Sequence, residues 1–226
     1  MRDSEIGRKE VWLAPTPKYE VIVGRACTAH GDEPSGDTFT ATRLPDGRCL
    51  FAIADGMGTG RRADEESVGL VAMVESFLRA GFSGDVVLPV VNKMMLLGNG
   101  ERFQTLDLVV LDTASGTADF AKLGACQSVV RSGDKIRVIE GSALPVGVLE
   151  DAMPCIRQEK LVEGETVVMF SDGLIDTIGA TAVYEKILSL GPINPQTVCD
   201  ELVARAKAQG AKDDVSVVAF RIFATY

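Results

Sequence analysis

Apolar residues fall in short, separated runs from Tyr19 onward. Glu20-Val21-Ile22-Val23, Thr38-Phe39-Thr40-Ala41-Thr42 and Cys49-Leu50-Phe51-Ala52-Ile53 are rich in β-branched or apolar residues. Turn-forming clusters such as Pro45-Asp46-Gly47 divide them, so three strands are predicted. The period then lengthens. Over residues 63–80, Val68, Val71, Ala72, Phe77 and Leu78 recur at helical spacing, with an acidic first turn and Gly81 as a stop. A second helix is expected after Ser83, a suitable N-cap, running to Gly98. Strand signals resume over residues 106–111, 118–120, 128–130, 136–139 and 166–170. Helices over 182–190 and 195–209 follow, the latter with Asn194 as cap and Pro195 in its first turn, and residues 215–223 close as a strand.

Residues 1–18 read as a leader or linker. Val11-Trp12-Leu13-Ala14 could dock on the domain, but Pro15 and Pro17 stop regular structure around it. Residues 19–226 read as one domain with no internal repeat and no low-complexity tract. Its strands do not alternate one for one with helices, which disfavours a doubly wound parallel sheet. The simplest arrangement is two packed sheets with helices outside.

Composition narrows the functions. Of 226 residues, 46% are hydrophobic and 24% charged, an ordinary globular balance. Lys plus Arg number 23 against 32 Asp plus Glu, a net charge of −9. Such a chain gains nothing from releasing phosphate counterions, and Arg61-Arg62 is followed at once by Asp64-Glu65-Glu66, so nucleic acid is not an expected partner. The apolar stretch over 86–97 is broken by Pro89, Asn92 and Lys93, and no run approaches the ~20 residues of a membrane span. Met1-Arg2-Asp3-Ser4-Glu5 is polar and acidic, so no signal peptide is expected there. Five scattered cysteines without a Cys-x-x-Cys argue against a zinc site or disulfide framework, and reduced thiols in a cytoplasmic protein are expected.

The informative residues are aspartates at strand ends. Asp37 opens a strand in Ser35-Gly36-Asp37-Thr38-Phe39, and Asp55 closes one in Ala52-Ile53-Ala54-Asp55-Gly56-Met57-Gly58. Asp172 repeats that arrangement in Met169-Phe170-Ser171-Asp172-Gly173, and Asp213 and Asp214 precede the last strand. Any one Asp-Gly can be plain turn chemistry, as Asp46-Gly47 is expected to be. Asp55 and Asp172, however, each end a strongly apolar strand. Carboxylates converging there would repel one another unless cations neutralised them, and hard oxygen donors without His or Cys favour magnesium or manganese.

Ser-Gly-Asp-x-Phe, Ala-Asp-Gly-Met-Gly-x-Gly, Ser-Asp-Gly and Asp-Asp-Val-Ser, in that order, resemble the metal-dependent 2C-type protein serine/threonine phosphatases. Within them the chain is similar to the bacterial branch typified by the catalytic domain of stage II sporulation protein E. Thr105-Leu106-Asp107-Leu108, Lys122-Leu123-Gly124 and Leu144-Pro145-Val146-Gly147 extend the likeness, which covers residues 19–223. The resemblance implies an α+β fold, a four-layer α-β-β-α sandwich of two mainly antiparallel sheets with flanking helices. It also implies two Mn2+ or Mg2+ ions at one end of the sheets. By motif position Asp55 bridges the ions, the Gly56 carbonyl and Asp37 serve one, and Asp172 and Asp213 serve the other. Asp214 has a supporting role or replaces Asp213 as ligand. The implied activity is hydrolysis of phosphoserine and phosphothreonine by a metal-bridging water, with Asp55 and Asp172 catalytic only through that water. The implied substrate is a phosphorylated anti-sigma-factor antagonist.

Departures from the family pattern matter. Met57 stands where many relatives have a histidine often assigned as general acid. His30, the only histidine, could take that role, but a surface-loop reading is favoured. Lys122-Leu123-Gly124-Ala125-Cys126 lacks the aspartate that some relatives carry after the glycine, which argues against a third metal. Cys126 has no basic neighbour in sequence to activate it. Met94-Met95-Leu96-Leu97 reads as helix packing. Arg61, after Gly58-Thr59-Gly60, can bind phosphate or lie in a solvated loop. The Asp55 loop runs into the helix from residue 63, so a homodimer or regulatory-domain contact on the 63–98 helices could shift Asp55 and Gly56 about Gly56, Gly58 and Gly60; the favoured alternative is that these glycines only let the chain approach the metals. The alternative to an enzyme is a catalytically silent module that keeps the fold to bind a partner.

Overall fold

The computed structural model describes residues 16–31, 33–58, 60–97, 103–150 and 154–225. Ten strands and five helices follow in chain order among them. Strands β1 (Tyr19–Thr28), β2 (Asp37–Arg43) and β3 (Cys49–Asp55) come first, then helices α1 (Arg61–Arg79) and α2 (Gly84–Leu97). Strands β4 (Thr105–Asp112), β5 (Thr117–Leu123), β6 (Ser128–Ser132), β7 (Lys135–Ile139), β8 (Ile156–Lys160) and β9 (Thr166–Phe170) follow. Helices α3 (Asp172–Ile178), α4 (Ala180–Ser189) and α5 (Pro195–Ala208) lead into β10 (Val215–Ala224). They build two five-stranded sheets, ordered β1-β10-β9-β6-β7 and β2-β3-β4-β5-β8. Every paired strand is antiparallel.

The period-2 alternation of each strand sorts its side chains into layers. In β3, Phe51 and Ile53 enter the apolar layer between the sheets, while Leu50, Ala52 and Ala54 pack with α1 and α2. In β9, Val167 and Met169 face the other sheet, while Val168 and Phe170 pack with α3, α4 and α5. Phe51 and Phe220 stack across the middle at 3.9 Å between ring centroids. Three apolar layers among four layers of structure make this the expected α-β-β-α sandwich.

Asn194 caps α5 as expected, its side chain accepting from Gln196 N at 2.9 Å. Two elements differ from the sequence reading. Strand β8, with the sequence Ile-Arg-Gln-Glu-Lys, has only half-buried or exposed residues, so no apolar alternation announces it; it is held by backbone pairing to β5 at the sheet edge. Helix α3 is seven residues long and opens Asp-Gly, which reads locally as a turn. Pro89 interrupts the apolar pattern of α2 but not the helix itself, which continues to Leu97. The leader ends in an anchored stretch: Lys18 N and Tyr19 N both donate to Thr113 O at 2.9 Å. Val11-Trp12-Leu13-Ala14 and Gly98 lie outside the described residues. No helix among the described residues is long and apolar enough to cross a membrane.

Candidate functional site

The alternation that buries Phe51 and Ile53 between the sheets also aims Asp55 there, two residues further along β3. Asp37 shares its side of β2 with Phe39 and Ala41, both packed against the same inter-sheet layer. From the facing sheet, Ser171 continues the Val167 and Met169 row, and Ser216 precedes the Val218 and Phe220 row. At one end of the sandwich the apolar interior thus gives way to carboxylates and hydroxyls.

Register brings Asp37 and Asp55 together. They are cross-strand partners in the β2–β3 ladder, and Gly56 N donates to Gly36 O at 3.1 Å to extend it. Asp37 is buried, and its Oδ2 has no hydrogen-bond partner among the described residues. Burial pushes its carboxyl up to about 6; the Ser171 and Ser216 hydroxyls pull the other way, and Asp214 and Asp172 add to the rise. Asp55 is pushed further, to about 8, by burial first and then by Asp37, Asp172, Asp213 and Asp214. All five sequence-predicted carboxylates therefore share one electrostatic neighbourhood.

The other three are placed differently. Asp172 opens α3 and is exposed; burial of its carboxyl and the charges of Asp213 and Asp176 raise its pKa, while the Gly173 N–H opposes this. Asp213 is exposed, and its Oδ1 accepts from Asp214 N at 2.8 Å. Asp214 is buried and ties down the loop between β1 and β2: Oδ1 accepts from His30 N at 2.6 Å and Oδ2 from Gly36 N at 2.5 Å. A carboxylate with both oxygens committed to backbone is placed for support. Two glycines allow the close packing around these acids. A Cβ at Gly56 would stand 2.4 Å from Ala63 O, and one at Gly173 would stand 2.1 Å from Asp214 O.

The peripheral candidates are less engaged. Arg61 is the first residue of α1 and is exposed. His30 is exposed, with Nδ1 3.2 Å from Ala211 O and its backbone N–H on Asp214. Cys126 does have a basic group near it, since Lys122 Nζ donates to its carbonyl at 2.9 Å. Burial and the charge of Asp107 outweigh that cation and push the thiol up to about 12. Asp176 escaped the sequence reading. It sits one turn after Asp172 in α3 and lines a cavity with Gly173 and Asp213. Only recognition of α3 as a helix, with its four-residue repeat, could have singled it out.

The donor set fits divalent cations in kind. It consists of hard oxygens, it carries an orphaned buried carboxylate oxygen, and burial together with like charge pushes the Asp55 carboxyl up to about 8. No three acidic, histidine or cysteine groups among the described residues are drawn tightly enough to form a ready-made cage, so the fit is one of charge and donor chemistry.

A sequence profile of the family described as Stage II sporulation protein E (SpoIIE) matches residues 45–223. The chain is 32% identical over 217 residues to stage II sporulation protein E of Priestia megaterium, covering 92% of this chain and 37% of that protein. It thus spans little more than a third of that relative's length. It is similar to the solved PP2C phosphatase domain, with a fragment of the regulatory domain, of the cell fate determinant SpoIIE from Bacillus subtilis. The TM-score is 0.86 at 28% identity, over 93% of this chain and 64% of that one. A PPM Ser-Thr phosphatase from Mycobacterium smegmatis shares the fold at 18% identity and a TM-score of 0.73, over 88% of this chain and 97% of that one. The chain belongs to the stage II sporulation protein E family and has the fold of its PP2C-type serine/threonine phosphatase domain.

Proposed function

We propose that this chain hydrolyses phosphoserine and phosphothreonine on a protein, using two Mn2+ or Mg2+ ions. The observation that carries the reading is Asp55, held by its ladder at the open end of the inter-sheet layer and acted on by four further carboxylates. Asp37, Asp55 and the Gly56 carbonyl would hold one ion, and Asp55, Asp172 and Asp213 the other. When bound, such ions acidify a water and neutralise charge on phosphoryl oxygens. The chain's own work is placement. The β2–β3 ladder fixes Asp37 against Asp55, and Asp214 fixes Gly36 just before Asp37. Arg61 is available to meet a substrate phosphate from the start of α1. With Met57 exposed and no acid donor on its side chain, protonation of the departing serine oxygen falls to solvent.

The substrate we infer is a phosphorylated anti-sigma-factor antagonist, on the strength of the family alone. We infer control through α1 and α2; the packing of Gly56 against Ala63 of α1 and the exposed Val86, Val90 and Met94 on α2 support this reading. The direct test is hydrolysis of p-nitrophenyl phosphate and of a phosphoserine protein with manganese present and after chelation. Metal-stimulated turnover supports the enzyme. Absence of turnover on both, with manganese bound, identifies a silent binding module.

A further inference from the structure

Behind the acidic end, the inter-sheet layer contains an ion pair. Asp107 on β4 and Lys122 on β5 are cross-strand partners whose side chains are each 2% exposed. Lys122 Nζ donates to Asp107 Oδ2 at 2.7 Å, to Ser128 Oγ at 2.7 Å and to Cys126 O at 2.9 Å. An ammonium has three hydrogens, and all three have acceptors, so its head group has one orientation. Ser128 lies on β6 of the opposite sheet and also donates to Asp107 Oδ2 at 2.7 Å, so the cluster bridges the two sheets. A buried ion pair adds little net stability over an apolar pair of similar size, so stability alone does not account for it.

The bridge has an outlet toward the site. Cys126, whose carbonyl Lys122 holds, donates its thiol to Phe170 O at 2.9 Å. Phe170 ends β9, two residues before Asp172. A cavity of about 10 Å³ separates Asp107, Cys126, Phe170 and Asp172, at the lower limit for one water.

We propose that Lys122 is a positioning residue: its bridge to Asp107 and Ser128 fixes the Cys126 turn, which fixes the end of β9 and so the place of Asp172. The inference rests on the reading of Asp172 as a metal ligand. It concerns this chain's own residues and does not require Lys122 to touch substrate or metal.

The test uses the full chain with four changes: Asp107→Leu with Lys122→Met together, Cys126→Val, Cys126→Ser and Asp172→Asn. The double change removes both charges and leaves no buried ion unpaired, and the serine keeps a donor for Phe170 O. Each protein is read by amide exchange over residues 170–173 without metal, by manganese titration calorimetry, and by kcat and KM on p-nitrophenyl phosphate. The double variant and Cys126→Val are expected to exchange faster at those amides and to bind manganese about tenfold more weakly, while Cys126→Ser stays within about twofold of the parent. In kinetics the loss should fall on kcat and on the manganese requirement, with KM for the ester little changed. Parent-like exchange and manganese affinity in a folded double variant would overturn the proposal. If the double variant does not fold, equal behaviour of Cys126→Val and Cys126→Ser overturns it just as well. If Asp172→Asn binds manganese as the parent does, the ligand reading fails, and faster exchange in the bridge variants still upholds the positioning.

Discussion

The two halves of the acidic end are built on different principles. Asp37 and Asp55 belong to a hydrogen-bonded ladder, lie partly or wholly buried, and have carboxyls pushed up to about 6 and about 8. Asp172 and Asp213 stand on a helix start and a loop in the facing half, and both are exposed. The first pair has its geometry set by β pairing before anything binds, and the cost is burial of the carboxyls, with repulsion from neighbouring acids added to it. The second pair stands nearer solvent, on a helix start and a loop outside any ladder, so the end of β9 and the turn before β10 place it instead of strand pairing. One half is fixed by strand pairing; the other is open to solvent and to an approaching ligand.

The largest expected effect breaks this contrast. Asp55→Asn should lower turnover more than about a hundredfold while stabilising the metal-free protein, and Asp172→Asn should lower turnover comparably with little gain in stability. The sign with pH follows from linkage. Asp55 holds its proton more tightly folded than unfolded, so its contribution to stability is full below its ordinary value of 3.8 and is lost as pH rises through about 8. Thermal melts in chelator at about pH 5 and about pH 8.5 should show the parent weakening toward the higher pH and Asp55→Asn weakening less. Equal pH profiles for the two proteins would remove the ladder half from the comparison.

Next in size are the glycines that press each half against its neighbour. Gly56→Ala drives a methyl into Ala63 O of α1, and Gly173→Ala drives one into Asp214 O. Each should cost about 1–3 kcal/mol in urea unfolding, the usual range for overpacking. The two should differ in function. Gly56→Ala displaces the ladder half and should raise the manganese concentration for half-maximal activity, whereas Gly173→Ala displaces the half whose Asp172 and Asp213 reach solvent and should raise it less. Identical metal dependence in both would erase this difference between the halves.

Legibility in the sequence follows the same division. Asp37 and Asp55 end strands whose alternation is written in apolar residues, so their face and depth could be read from Phe39, Phe51 and Ile53. The motif order marked Asp172 and Asp213 as candidates, but nothing local showed that Asp172 starts a helix or that Asp176 lies beside it. A seven-residue helix opening Asp-Gly has too few turns to display a period. Strand β8 was illegible for a related reason: pairing to β5 defines it, not burial. The Asp107–Lys122 bridge was hidden because one strand shows neither its cross-strand partner nor the opposite sheet.

Asp214 links the halves, and its replacement sharpens the comparison at a smaller scale. Asp214→Ala would leave the N–H groups of His30 and Gly36 without their acceptors, a loss of about 1–3 kcal/mol. Asp214→Asn retains one acceptor oxygen and should lose about half of that. If Asp214 only supports, Asp214→Asn should keep the parent's manganese stoichiometry in calorimetry. A lost equivalent of metal would move Asp214 into the ligand set in place of Asp213.

The smallest effect is expected at His30, and it bears on whether the rim of the site holds an acid. Its attachment to Asp214 runs through the backbone N–H, which an alanine keeps, and among the described residues its ring makes only an exposed contact to Ala211 O. His30→Ala should therefore change stability by no more than about 0.5 kcal/mol. The kinetic test is the leaving group. A general acid matters for serine, whose alkoxide leaves poorly, and hardly at all for p-nitrophenol, which leaves as a stable anion. If solvent protonates the departing oxygen, His30→Ala should hydrolyse a phosphoserine peptide and p-nitrophenyl phosphate at parent rates, within about twofold for each. A selective loss on the peptide of more than about tenfold, with the ester untouched, would make His30 the acid. It would also make the β1–β2 loop, held by Asp214, part of the catalytic apparatus.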